Sequence, residues 1–85
     1  MTKELDTNSK VVGLKQVRRA LRDGTAEKVF IARDAGAGMI LEIEELCKER
    51  GVVSEYVPTM AELGRSAGIS VRAAVAAIVR QKSVF

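Results

Sequence analysis

The chain has 85 residues, with 14 Lys and Arg against 11 Asp and Glu, and a formal net charge of +3. This length predicts a single domain over residues 1–85. The chain has no histidine, which removes the commonest general base and the commonest metal ligand. The single cysteine, Cys47, excludes an internal disulfide and any CxxC site. We therefore expect a protein that is not an enzyme and holds no cofactor or metal.

The length of the apolar segments indicates whether the chain is expected to cross a membrane. No apolar run approaches the roughly 18 residues of a membrane span, and the N-terminus is polar. We expect no membrane partner and no signal peptide. A lone cysteine is compatible with the reducing cytoplasm, which is the location we predict.

Charge is distributed unevenly along the chain. Residues 1–35 carry a net +3, residues 36–64 a net −4 and residues 65–85 a net +4. If folding brings the two basic segments together, the molecule has one positive face and one negative face. A charge-balanced soluble surface accounts for the same distribution equally well, so these values alone leave the partner open.

Apolar periodicity and turn residues predict alternating strands and helices after a polar N-terminal arm over 1–9. The capping-box pattern of Thr59 and Glu62 predicts a helix start with two reciprocal bonds between side chain and backbone. The order predicts an α/β domain with helices on both faces of a small sheet. The predicted elements are a strand end at 11–12, a helix over 14–23, a strand over 28–32, a loop over 34–38, a helix over 39–50, a strand over 52–57, a short helix from Thr59 to Gly68, a loop over 69–72, and a helical turn that runs into a strand over 73–79.

The first predicted helix has the most informative pattern. It begins at Gly13, where free amides and the positive end of the helix dipole favour a phosphate. The amide of Gln16 offers both a donor and an acceptor to a base edge. A solvated basic face with no partner is the alternative interpretation. Four cations occupy one stripe at positions i, i+3, i+4 and i+7, with no glutamate among them: Lys15, Arg18, Arg19 and Arg22.

Two other features suggest functions that remain open. The Gly36-Ala37-Gly38 loop lies between a strand and a helix, but it lacks the spacing of a dinucleotide or P-loop motif. A small-ligand or nucleotide-binding subunit using this loop is therefore one alternative. The acids of the 39–50 helix most simply form a solvated face, and a protein-interaction module using that face is the other alternative. We expect Cys47 to be a core thiol.

Three stretches carry a resemblance to a known family: Gly13–Ala20, Val29–Ala35 and Tyr56–Val71, the last with the motif Val-Pro-Thr-x-x-Glu-Leu-Gly-Arg followed by Ala-Gly-Ile. They resemble the kink-turn RNA-binding ribosomal proteins of the L7Ae/L30e type, and the Lys-Gln after the glycine is most similar to small bacterial YbxF-like members. The resemblance implies a three-layer α-β-α sandwich with a small mixed sheet, which agrees with the predicted element order.

The resemblance also implies a function and a site. Kink-turn RNA is a helix–internal loop–helix motif with tandem sheared G·A pairs and a sharply bent backbone. The first helix would enter the groove at the G·A pairs, and the loop over 69–71 would cover the extruded nucleotides. The implied partner is a structured RNA, such as a ribosomal RNA, and the protein is expected to bind it as a monomer. The implied RNA-binding residues are Gly13, Lys15, Gln16, Arg19, Arg33, Ile69, Ser70, Val71 and Arg72.

The chain departs from the family pattern at two places. Gly36-Ala37 stands where the family commonly has Asp-Pro, and Arg72 stands where a small residue is frequent. Proline would pre-set the start of the next helix, so the glycine version is expected to be less restricted. Arg72 is expected either to add a phosphate contact or to disturb the loop.

Overall fold

A computed structural model describes residues 9–80 of the chain. Nearly all of the predicted N-terminal arm over 1–9 therefore lies outside the described residues. Within 9–80, strands and helices alternate in the predicted order. They are β1 (Lys10–Val12), α1 (Leu14–Asp23), β2 (Ala26–Ala32), α2 (Ala37–Arg50), β3 (Val53–Val57), α3 (Met60–Ser66) and β4 (Val75–Val79).

The four strands form one sheet in the order β1-β4-β2-β3. β4 pairs antiparallel with β1 on one side and with β2 on the other, whereas β2 and β3 run parallel. The sheet is therefore mixed, as expected. β4 comes last of the four strands in the chain and occupies the interior of the sheet.

Helices cover both faces of the sheet and make three layers. Side chains alternate across a strand, so neighbouring residues of β2 enter different cores. Val29 and Ile31 are buried in the core formed with α1 and α2, which contribute among others Leu21 and Ile43. Phe30 is buried on the opposite face, in the core formed with α3. The predicted α/β class and three-layer α-β-α sandwich are confirmed.

Backbone geometry explains where the helices stop and start. Gly24 and Gly51 adopt left-handed conformations directly after α1 and α2, as is common at helix C-termini. At the start of α3 the Glu62 amide donates to Thr59 Oγ1 at 3.1 Å, which confirms one bond of the capping box. Oε2 of Glu62 is buried without a hydrogen-bond partner, so this oxygen does not make the predicted return bond. The Met60 amide, also at the start of α3, donates to Asp34 Oδ1 at 2.8 Å.

Some predicted boundaries differ from the structure, including the start of β2, which is Ala26 rather than residue 28. No helical turn precedes β4, because residues 73–74 have no regular structure and their backbone is bonded to other elements. The Ala73 amide donates to the Met60 carbonyl at 3.0 Å, and the Ala32 amide donates to the Ala74 carbonyl at 2.9 Å. Pairing on both sides of β4 thus overrides the helix propensity of its alanines. In addition, α2 begins at Ala37, inside the predicted loop.

Candidate nucleic-acid interface

Three connections of the fold meet at one edge of the sheet. The Gly13 amide, after β1, donates to the Val75 carbonyl at the start of β4 at 2.9 Å. The Arg33 amide, after β2, donates to the Val57 carbonyl at the end of β3, also at 2.9 Å. This edge therefore carries the N-terminus of α1, Arg33, and the chain that enters β4 from the 69–72 loop.

The N-terminus of α1 is open. Its N-cap, Gly13, has φ 106° and makes no side-chain capping bond to the first-turn amides. A side chain at Gly13 would be strained at this φ, and its Cβ would lie 2.9 Å from Oε1 of Gln16. The Gln16 carboxamide thus lies close over Gly13. Unsatisfied amides and the positive end of the helix dipole stand at the same place, and both favour an anion.

The basic stripe of α1 is partly neutralised. Arg18 Nε donates to Glu42 Oε2 at 2.6 Å, and Arg18 Nη2 donates to Glu42 Oε1 at 3.2 Å. This hydrogen-bonded ion pair raises the pKa of Arg18 and lowers that of Glu42. Arg18 therefore joins α1 to α2, and the expectation that no glutamate neutralises the stripe is wrong at Arg18. The acid comes from α2, 24 residues along the chain, so spacing within α1 could not predict it.

The other three cations of the stripe face solvent, and so does Gln16. Lys15, Gln16, Arg19 and Arg22 are all exposed. Arg19 Nε lies 3.9 Å from Asp23 Oδ2, and the Arg19 side chain remains 84% exposed. An ion pair this long and this exposed holds its cation weakly. Lys15, Gln16 and Arg19 are therefore accessible on the first two turns of α1.

The 69–72 loop has an anchored end and an exposed end. Gly68 has φ +78° and turns the chain out of α3, and Ile69 then packs against the core beneath α3. Ser70, Val71 and Arg72 are exposed, Val71 to 67%. The two apolar residues predicted to contact RNA therefore have different roles. Ile69 anchors the loop to the core, and Val71 presents an exposed apolar side chain.

Arg33 is exposed at the same edge of the sheet. Its guanidinium lies over the ring of Tyr56, with Cζ 4.8 Å from the ring centroid. A cation–π contact orients the arginine without neutralising it. Tyr56 is on β3 and Arg33 follows β2, and the parallel register of these strands brings them together. This contact was not predicted from the sequence.

The glycine loop and the acidic helix, on which the two alternative functions depend, both make contacts within the fold. Ala37 and Gly38 belong to the first turn of α2, and Asp34 in the preceding turn accepts a bond from the α3 amide of Met60. Glu42, one of the acids of α2, is paired with Arg18. Cys47 is 3% exposed, and burial raises the pKa of its thiol, which confirms it as a core residue.

Comparison with known proteins identifies the family. The chain matches the model of the Ribosomal protein L7Ae/L30e/S12e/Gadd45 family over residues 1–84. The chain belongs to this family. The resemblance carried by Gly13–Ala20, Val29–Ala35 and Tyr56–Val71 is thereby confirmed.

Several curated members of the L7Ae/L30e/S12e/Gadd45 family are similar over most of the chain. An RNA-binding protein of Caldanaerobacter subterraneus is 44% identical over 70 residues, which cover 82% of this chain and 85% of that protein. The RNA-binding protein YbxF of Geobacillus stearothermophilus is 37% identical over 78 residues, 92% and 95% of the two chains. The large ribosomal subunit protein eL8 of Haloquadratum walsbyi is 35% identical over 75 residues, covering 87% of this chain but 62% of eL8.

Solved structures agree with the family fold. The Giardia lamblia 15.5kD RNA binding protein superposes with a TM-score of 0.83 at 26% identity, covering 93% of this chain and 67% of that one. A Bacillus halodurans protein of unknown function superposes with a TM-score of 0.81 at 21% identity, covering 89% and 76%. The second likeness concerns the fold alone.

Residues 9–80 hold neither a metal-binding cluster nor a membrane-spanning helix. Across that part of the chain, no cluster of three or more Cys, Asp or Glu side chains is placed to hold a metal ion. None of the helices described there is long and apolar enough to cross a bilayer.

Proposed function

We propose that this protein binds kink-turn RNA and stabilises its bent conformation, acting as a cytoplasmic monomer without a cofactor. The observation that carries the proposal is the open N-terminus of α1, with Gln16 lying over Gly13 and with Lys15 and Arg19 exposed beside it. The relatives named as RNA-binding proteins, including YbxF, support the RNA partner.

In this proposal each group of the α1 surface has a different task. The unsatisfied amides of the first turn of α1 and the cations of Lys15 and Arg19 attract phosphates and the O6 and N7 acceptors of guanine. Gln16 offers a donor and an acceptor to a base edge at the G·A pairs, where the groove is open enough to admit a helix. Phosphate contacts position the protein, and the base contact distinguishes a kink-turn from an ordinary duplex.

The other two connections at this edge extend the surface. Arg33, oriented by Tyr56, approaches the RNA backbone, and exposed Val71 contacts the extruded nucleotides. Phe30 is buried and Tyr56 is covered by Arg33, so neither aromatic ring is an open stacking platform. Recognition therefore depends on RNA shape, phosphates and a few base edges rather than on stacking of single-stranded bases.

Stabilisation of the bend is a shift in population. A protein that binds the kinked RNA more tightly than the extended RNA moves the equilibrium toward the kinked form by the ratio of the two affinities. No covalent step is involved, so the residues need only match the bent conformation.

The proposal is tested by titrating a fluorescent kink-turn duplex and a matched duplex whose G·A pairs are replaced by Watson–Crick pairs, each at two salt concentrations. We expect tighter binding to the kink-turn, with both affinities falling as salt rises because phosphate contacts release counterions. Equal affinities for the two RNAs at both salt concentrations would refute kink-turn recognition.

A further inference from the structure

Arg65 and Arg72 line one surface depression on the side of the 69–72 loop that faces α3. The depression is also lined by Ala61, Ile69, Ser70 and Val71. Arg65 lies in the last turn of α3, Arg72 ends the loop, and both side chains are exposed. Two cations thus flank the exposed apolar side chain of Val71.

The close approach of the loop to α3 depends on Gly64. Gly64 is buried in α3, and a Cβ at this position would collide with the backbone carbonyl of Val71. Because the loop backbone rests directly on the helix at the residue before Arg65, the two arginines are held on the same patch of surface. The Ala73 amide, which donates to the Met60 carbonyl at 3.0 Å, fixes the other end of the loop to α3.

Within residues 9–80, no acid neutralises these two arginines. Some other cations of the fold do pair with carboxylates, as in Arg18–Glu42, Lys28–Glu55 and Arg80–Glu27. Neither Arg65 nor Arg72 forms an ion pair with any residue in the described part of the chain. Two unpaired guanidiniums on one depression favour an anion with several oxygens, since each can form a bidentate fork with a phosphate.

We infer that Arg65 and Arg72 together bind a backbone phosphate of the extruded nucleotides while Val71 contacts the adjoining base. This rests on the proposed function and adds Arg65, on α3, to the surface formed by α1 and the loop. The RNA would then contact the helical layers on both faces of the sheet, with the 69–72 loop between them. Arg72 acts in this arrangement as an added phosphate contact.

A purely structural role for Arg65 makes a different prediction. A cation in the last turn of a helix stabilises the helix through its dipole, whether or not RNA is present. Arg50 occupies the equivalent place in the last turn of α2 and is also exposed. Arg50→Gln is therefore a matched control that removes the same charge from the same kind of position.

The test measures kink-turn affinity for wild type, Arg65→Gln, Arg72→Gln and Arg50→Gln. The two RNAs are an ordinary kink-turn and one whose extruded nucleotides carry uncharged methylphosphonate linkages. We expect Arg65→Gln and Arg72→Gln each to weaken binding of the ordinary RNA about tenfold and to lower the salt slope by about 1. With the methylphosphonate RNA the losses should nearly vanish, and Arg50→Gln should change neither affinity appreciably.

The outcomes separate this inference from the proposed function. If wild type distinguishes a kink-turn from the Watson–Crick duplex but Arg65→Gln binds as wild type does, the inference fails while the function stands. The inference is also overturned if Arg65→Gln and Arg72→Gln lose as much affinity for the methylphosphonate RNA as for the ordinary RNA. It is likewise overturned if Arg50→Gln loses as much affinity as they do. Thermal unfolding of each variant shows whether a loss arises from folding, and the charge-conserving Arg65→Lys should then recover part of the salt slope.

Discussion

At the residue scale, Lys15 and Gln16 are adjacent on α1 but differ in what they can recognise. A lysine presents a point charge that any phosphate satisfies, whereas a carboxamide presents a donor and an acceptor in one plane. Gln16 Oε1 lies 2.9 Å from where a Cβ of Gly13 would stand, so the glycine leaves room for this side-chain position. Substituting each residue in turn therefore separates a contribution to affinity for any RNA, expected of Lys15, from a contribution to specificity, expected of Gln16.

We predict that Gln16→Ala and Lys15→Ala weaken kink-turn binding in different ways. Gln16→Ala should cost about 1–3 kcal/mol for the kink-turn, with little effect on the Watson–Crick duplex and an unchanged salt slope. Lys15→Ala should weaken both RNAs and lower the salt slope by about 1. Titrations at several salt concentrations measure both effects, with Lys48→Ala on α2 as the control. Equal losses on both RNAs for Gln16→Ala would contradict a base contact.

At the element scale, the Arg18–Glu42 pair is a contact between α1 and α2. Its two hydrogen bonds, at 2.6 Å and 3.2 Å, make a forked arrangement with Arg18 and Glu42 only partly exposed. The hydrogen bond from Arg18 holds the pKa of Glu42 below its ordinary value of 4.5. A carboxyl whose pKa is lower in the folded state stabilises the fold above the unfolded pKa, and this stabilisation is lost as pH falls through the folded pKa.

We therefore predict that Glu42→Gln is less stable than wild type at pH 7, and that the two converge on acidification. The convergence should occur below pH 4.5, because there Glu42 becomes protonated in the wild type also. Urea denaturation over a series of pH values measures the difference. Glu49→Gln removes an exposed carboxylate from the same helix and should show no comparable pH-dependent loss. A constant difference between wild type and Glu42→Gln at every pH would contradict an ionic origin.

At the scale of the whole molecule, the sheet order collects the basic surface at one edge. Strands β1, β2 and β3 end there and β4 begins there, so segments far apart in sequence meet. The resulting surface includes the α1 N-terminus, Arg33 and the 69–72 loop. A rigid surface of this kind favours whichever RNA conformation matches it, which is why binding and bending are expected to be linked.

We predict that the protein increases the population of the kinked RNA. A kink-turn duplex labelled at both ends with a fluorescent donor and acceptor should show higher energy transfer as protein is added, without a change for the Watson–Crick duplex. Thermodynamic linkage is reciprocal. Conditions that already favour the kinked RNA should therefore tighten protein binding by the same factor by which the protein favours the kink. Binding without any rise in energy transfer would contradict the population shift.

The sequence determined the elements themselves and much of the candidate surface. Local signals placed the helices correctly. The helix predicted from the spacing of Leu14, Val17 and Leu21 is present and ends at Gly24, and Thr59 caps α3 as predicted. Exposure of Lys15 and other polar residues of α1 follows from the same periodicity. The family resemblance provided the three-layer fold and the implied RNA contacts.

Only the tertiary structure decided the features that depend on residues distant in sequence. β4 is a strand directly after residues 73–74, because pairing with β1 and β2 outweighs the helix propensity of its alanines. Arg18 is withdrawn from the basic stripe by Glu42, and Arg33 is oriented by Tyr56. Arg65 joins Arg72 on one depression because Gly64 lets the loop rest on α3. Local spacing fixes which residues share a helix face, but packing alone determines which charges remain unpaired for a partner.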